Sequence, residues 1–270
     1  MIARTVVFGT LFAAGALQGA VAAQDPVALV AADVASVDTT TDSVVASALA
    51  APLSLRERRL SARVRDSAAR DTALRVLVSL EQRELRVLRA QDTLLVAPVG
   101  IGRDATLAWE GKVWRFATPR GIRTVREKAV DPVWTPPDWH YVEVARTENL
   151  KLKHLRRDRP VKLASGDLLA VRLDVAGLVR TSGVFDTLAE NEELIFGDTL
   201  FIPPVGTRNR RVKGVLGRFK FDLGDGYLFH GTPDTSSIGN AATHGCLRLH
   251  DADLEWLHAN VPVGTRVYIH

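Results

Sequence analysis

The chain holds one cysteine and one methionine among 270 residues, and only 6% of it is aromatic. A single cysteine excludes an intrachain disulfide, and with it the small disulfide-stapled scaffolds common among exported proteins. Beyond the first two dozen residues, no apolar run approaches the roughly 20 residues that a helical membrane span needs. There is no internal repeat, so solenoids and propellers drop out. No nucleic-acid-binding motif is present. Residues 24–52 lack aromatic residues, lysine and arginine altogether. That stretch cannot build a core and reads as a flexible linker.

The first residues, MIARTVVFGTLFAAGALQGAVAAQD, carry one positive charge at Arg4 and then an apolar run from Val6 to about Leu17. Small residues follow, with Val21 and Ala23 placed for cleavage before Gln24. This is the pattern of a secretory signal peptide over 1–23, and the apolar core is too short to serve as an anchor. The expected product is exported, to a periplasm or cell wall, with no membrane span once the leader is removed. In an oxidising compartment an unpaired thiol is a liability unless it is used, which directs attention to Cys246.

Net charge is +4. Setting aside the +1 of Arg4 and the four aspartates of 24–52 leaves +7 on residues 53–270. A mildly basic exported domain suits an anionic polymer. Residues 53–73 form a basic segment, opened by the capping-box pattern Ser54-Leu55-Arg56-Glu57. A helix to about Arg70 is expected there, with Leu53, Leu60 and Val64 as a thin apolar stripe.

From Leu74 to the end the texture is that of one mostly β domain of the α+β class. LRVLVSL, ELRVLR and TLLVAPVGI predict a three-stranded meander. Lys112–Phe116 and Ile122–Val125 flank a turn at Thr118-Pro119-Arg120-Gly121. DPVWTPPDW (131–139), with three prolines, predicts a rigid irregular loop and no strand. KLKHLRRDRPVK (151–162) is strongly basic. DLLAVRLDV and TLFIPP suggest strands, and TLAENEEL (187–194) a turn of helix. RVKGVLGRFKFDLGDGYLFHGTP (211–233) reads as a hairpin delivering His230 at a strand end. HDADLEWLHANV predicts a helix capped by Asp251, with Leu254, Leu257 and Val261 inward. TRVYI makes a last strand.

The chemistry concentrates between Tyr227 and Leu249. Cys246 follows Gly245, whose missing side chain permits a tight turn and close approach of a carbonyl. The N–H groups of Gly245 and Cys246 are candidate donors to an oxyanion. A neighbouring imidazole can lower a thiol pKa and accept its proton. Two histidines compete for that role, His244 two residues away and His230 sixteen away. The same three side chains could instead be zinc ligands with one open position. They could also be two surface histidines and an inert buried cysteine.

The segment His230-Gly231-Thr232, a ten-residue loop, and Thr243-His244-Gly245-Cys246-Leu247-Arg248-Leu249 resembles the signature of the L,D-transpeptidase (YkuD-like) catalytic domain. The Thr118–Gly121 turn, Gly214-Val215-Leu216-Gly217 and Val263-Gly264-Thr265-Arg266-Val267 are similar to the same family. The resemblance implies a YkuD-like β-sandwich with a few short helices over 74–270. It implies Cys246 as nucleophile and His230 as base, oriented by the Gly231 carbonyl. His244 becomes a secondary residue near the thiolate. Gly245 contributes to the oxyanion site, and Arg248, Thr243 and Tyr227 are substrate-side candidates. Implied substrates are peptidoglycan stem peptides, cut between a diaminopimelate-type third residue and D-alanine, with transfer to an amine acceptor. Water as acceptor would give a carboxypeptidase or endopeptidase instead, and a non-catalytic wall-binding module is the third possibility. No cofactor or metal is implied. One long insertion, about 140–200, matches nothing in the family pattern.

Overall fold

A computed structural model of the chain describes residues 53–270. The expected leader 1–23 and linker 24–52 lie outside the described residues. The meander forms as an antiparallel run of Arg75–Ser79, Glu84–Arg89 and Asp92–Pro98. The closing strand Arg266–Ile269 pairs in parallel with Arg75–Ser79 and antiparallel with Gly121–Thr124, completing a five-stranded sheet. A second sheet runs Leu247–Arg248, Leu228–His230, Phe219–Asp222, Glu127–Val130. The inward residues of both sheets, including Val76, Val78, Phe221, Phe229, Leu247 and Ile269, share one core with Leu254, Leu257 and Val261. The architecture is therefore mostly β with three short helices.

Helix α1 (Leu55–Arg70) begins with the expected capping box: Ser54 Oγ accepts from the Glu57 N–H, and Glu57 Oε2 accepts from the Ser54 N–H at 3.0 Å. Its buried face differs from the expected stripe. Ser61, Val64 and Ala68 turn inward while Leu60 stays exposed. Val64 and Ala68 cover Leu77 and Tyr268 on the outer face of the first sheet. That second cover explains why LRVLVSL is nearly continuous in apolar residues: a strand buried on both faces has no polar side to alternate. The Tyr268 hydroxyl donates to Asp71 at 2.7 Å, satisfying its polar tip.

Helix α3 (Asp251–Asn260) forms, but His250 is its N-cap and no side chain caps it. Asp251 is the first helical residue. Its carboxylate accepts instead from the Arg218 N–H at 3.5 Å and lies against Gly231. Residues 131–139 also depart from expectation. Val133–Trp134 makes a two-residue strand with Val212–Lys213, and helix α2 (Asp138–Thr147) starts directly after Pro137. A proline at φ −71° is already set for helix entry.

The long insertion is a subdomain with its own core. Lys151–His154, Thr199–Ile202 and Leu194–Phe196 form one sheet. Val161–Lys162, Leu168–Arg172, Val175–Val179 and Phe185–Thr187 form another. Leu155, Leu169, Ala176, Leu178, Leu194 and Phe201 pack together. No helical turn forms at 187–194. Asn191 at φ 61° and Gly197 at φ 63° take left-handed conformations, which turn the chain back on itself. Helix α2 joins this subdomain to the main body: Tyr141 and Ala145 pack on Leu200 and Ile202, and Val142 packs on Leu107 and Phe116.

Burial within that junction shifts two titratable groups toward their neutral forms. His140 is pushed down to about 4 by burial, and Glu193, with a carboxylate oxygen 3.9 Å from its ring, is pushed up to about 7 by burial and the charge of Glu148. A carboxyl whose folded pKa exceeds its unfolded one stabilises most below the unfolded value, and that contribution is lost as pH rises toward the folded one. Glu193→Gln removes this loss. The denaturant midpoint of the variant, measured against the parent, is expected to gain between pH 5 and pH 8; a gap independent of pH would contradict the assignment.

Candidate active site

Register places the central pair. Leu228–His230 and Leu247–Arg248 run parallel, with Phe229 opposite Leu247 and His230 opposite Arg248. Side chains alternate along a strand. Phe229, Leu247 and Leu249 point into the core. His230 and Arg248 therefore share the opposite face, and Cys246, two residues before Arg248, projects from it as well. The hairpin expected over 211–233 supplies this: Phe219–Asp222 pairs antiparallel with Leu228–His230, and His230 is the last strand residue.

His230 is 5% exposed, and its Nδ1 lies 2.6 Å from the Gly231 carbonyl oxygen. With Nδ1–H donating to that carbonyl, the lone pair sits on Nε2, the nitrogen free to accept a proton. Burial pushes this imidazole down to about 4, only partly offset by the Gly231 bond. Gly231 has no room for a side chain, since a Cβ would run into Asp251 and the backbone of Gly217. The half-buried Cys246 thiol lies 3.7 Å from the Gly226 carbonyl oxygen. Burial pushes it up, against a Leu228 backbone bond and the charge of Arg248. The sequence argument expected a thiol lowered by an imidazole. A buried neutral imidazole carries no charge with which to lower it, so burial favours the neutral form of both side chains.

The loop before Cys246 is fixed from within. Thr243 Oγ1 donates to the Cys246 carbonyl at 2.6 Å and accepts from the Gly245 N–H at 3.0 Å. Thr243, expected on the substrate side, is 1% exposed and braces the loop from within. The Gly245 N–H, expected as an oxyanion donor, is engaged with the Thr243 hydroxyl. Gly245 has φ +122°, and a Cβ there would sit 3.0 Å from the Tyr227 ring and 3.1 Å from the Ala117 carbonyl. Tyr227 thus packs on the loop, with the Arg123 guanidinium 4.6 Å from its ring centre. Thr118, in the turn noted from sequence, donates to the Gly245 carbonyl and accepts from the Gly102 N–H, both at 2.9 Å. Arg248 is half-buried, 3.9 Å from Asp234, and its Nε has no hydrogen-bond partner.

His244 is held away from the base position. Its ring stacks on Trp139 at 4.0 Å and meets the edge of Phe116 at 4.5 Å. Its Nε2 lies 2.7 Å from Glu143 Oε2, and Glu143 is also paired with Arg103. Burial lowers the His244 pKa while Glu143 works to raise it. Glu143 and Trp139 both come from α2, 101 residues or more before the histidine they hold, and sequence reading missed them. Glu143→Gln keeps the shape but removes the charge. The His244 titration midpoint, followed by NMR, is expected to move down, and acyl transfer to change less than about tenfold if His230 serves as the base. Among the described residues no group of three His, Cys, Asp or Glu is arranged to hold a metal ion.

A cysteine and a carbonyl-tethered histidine on one sheet face, above a glycine-pinned turn, define an acyl-transfer type of site. The model of the L,D-transpeptidase catalytic domain, YkuD, matches residues 73–269, insertion included, and the chain belongs to that family. It is 25% identical over 195 residues to the probable L,D-transpeptidase YbiS of Escherichia coli, an alignment covering 71% of this chain and 42% of that protein. It is 33% identical over 111 residues to the putative L,D-transpeptidase YkuD of Bacillus licheniformis, covering 38% of this chain and 67% of that one. The chain spans less than half the length of the first of these relatives. A solved L,D-transpeptidase from Xylanimonas cellulosilytica aligns at 16% identity and a TM-score of 0.38, over 77% of this chain and 68% of that one. At that level it adds nothing to the family match.

Proposed function

We propose that this domain is a cysteine L,D-transpeptidase acting on peptidoglycan stem peptides, exported to a periplasm or wall face. The observation that supports it most is the shared face of Cys246 and His230, with His230 Nδ1 tied to the Gly231 carbonyl. The Cys246 sulfur attacks the carbonyl of the third stem residue as His230 Nε2 takes the thiol proton. The C–N bond to D-alanine breaks, and His230 returns the proton to the departing amine. An acceptor amine then attacks the thioester and gives its proton to His230, and Cys246 leaves as the thiol. The Cys246 N–H is the turn's donor to the developing oxyanion, because the Gly245 N–H is engaged with Thr243. Arg248, with a buried Nε lacking a partner beside His230, is the cation placed to meet a stem carboxylate.

Incubating the protein with disaccharide-tetrapeptide, with and without an added amine, and weighing the products tests the reading. Dimer or amine adduct marks transfer. Tripeptide alone marks hydrolysis of the same bond, and unchanged substrate would reject both.

A further inference from the structure

The basic stretch 151–162, unexplained by the acyl-transfer chemistry, lines a cleft of about 520 Å³ on the insertion. Its walls are Trp109, Glu110, Leu152, Lys153, His154, Arg156, Arg159, Pro160, Val161 and Lys162, of which four are lysine or arginine and one is a carboxylate. Arg156 is bound by Asp158 at 3.1 Å, and Arg159 also faces that carboxylate. Lys153 and Lys162 are exposed and stand in no ion pair among the described residues. Trp109 contributes a half-buried apolar ring, stacked at a tilt on His154 with centroids 5.5 Å apart. Four cations and one indole lining the same cleft suit a ligand that carries carboxylates on an otherwise uncharged framework.

The cleft adjoins the acyl-transfer site through one turn of α2. Asp138 lies 3.3 Å from His154 on the cleft wall and is anchored by Arg210 at 2.7 Å. The next residue, Trp139, stacks on His244, two positions before Cys246. Asp138 and Trp139, adjacent on α2, thus link the cleft wall to the loop that precedes Cys246.

We propose that this cleft is a secondary binding site for the carboxylate-bearing stem peptides of polymeric peptidoglycan, holding a strand while another part of it meets Cys246. The proposal rests on the substrate class given above. The test uses the exposed triple variant Lys153→Gln, Arg159→Gln, Lys162→Gln in the full chain. Co-sedimentation with purified sacculi is measured at low and high salt, on native sacculi and on sacculi whose carboxylates are capped as neutral amides. Acylation of Cys246 by soluble disaccharide-tetrapeptide is followed in parallel by mass spectrometry. The expected result is about tenfold weaker retention of the variant on native sacculi at low salt, a shallower salt dependence, poor retention of the parent on capped sacculi, and unchanged acylation by the soluble donor. Equal retention of variant and parent overturns the proposal, as does parent retention indifferent to capping. So does a variant that also loses soluble-donor acylation. A parent retained through the cleft but never acylated would leave the cleft standing and reject the transpeptidase reading.

Discussion

Cys246→Ala is expected to abolish the acyl-enzyme, with no mass adduct after incubation with tetrapeptide donor. His230→Ala is expected to lower kcat/KM by about 100- to 10,000-fold, the usual contribution of a positioned general base. The two losses have different pH signatures. In the parent, the acid limb of kcat/KM reports protonation of the free base, and burial holds His230 at about 4, below the ordinary histidine value. Activity should therefore persist through pH 5 and fall only as pH approaches 4. An acid limb near 6.5 would show that burial does not lower the titrating histidine, and its persistence in His230→Ala would show that His230 is not the proton acceptor. Removing the base leaves thiolate as the only nucleophile, and burial makes that form scarce at neutral pH. Residual activity of His230→Ala should then climb with pH into the alkaline range. A flat residual rate would mean that another group accepts the thiol proton.

Gly245→Ala is the second large effect. Alanine is strained at φ +122°, a conformation open to glycine, at a cost of about 1–3 kcal/mol. Its Cβ would also press on the Tyr227 ring at 3.0 Å and the Ala117 carbonyl at 3.1 Å. The loop relieves the crowding by moving, and it carries Cys246 with it. A displacement of about 1 Å costs about 100-fold in rate. Purified Gly245→Ala is expected to unfold at lower denaturant and to acylate about 100-fold more slowly. Near-parental acylation would show that the turn is softer than its bonds to Thr118 and Thr243 imply.

The placement of Cys246 and His230 was readable from local pattern, while the preference for His230 over His244 came from the family resemblance. Apolar alternation from Phe219 to Phe229 places His230 at a strand end, and Gly245 marks the turn before Cys246. The meander, the hairpin, the capping box and the last strand were readable for the same reason. What escaped is set by contacts between distant segments. Nothing near Glu143 announces that it will meet His244, because helix α2 brings them together across 101 residues. The loss of the Gly245 N–H to Thr243 depends on one hydroxyl rotamer. The acidic run 187–194 has helical propensity, and the left-handed turns at Asn191 and Gly197 override it. Leu60 looked inward, but the angle at which α1 crosses Leu77 and Tyr268 buries Ser61 instead.

The strand Arg266–Ile269 sits between Arg75–Ser79 and Gly121–Thr124. Until it arrives, both of those strands have an open edge, and the core beneath them lacks Val267 and Ile269. A ribosome makes the chain from the other end, so nearly the whole domain is synthesised before its central sheet can close. Pairings this far apart in sequence form slowly. Cys246, twenty residues before the closing strand, is therefore also made while the sheet that Arg266–Ile269 completes is still open.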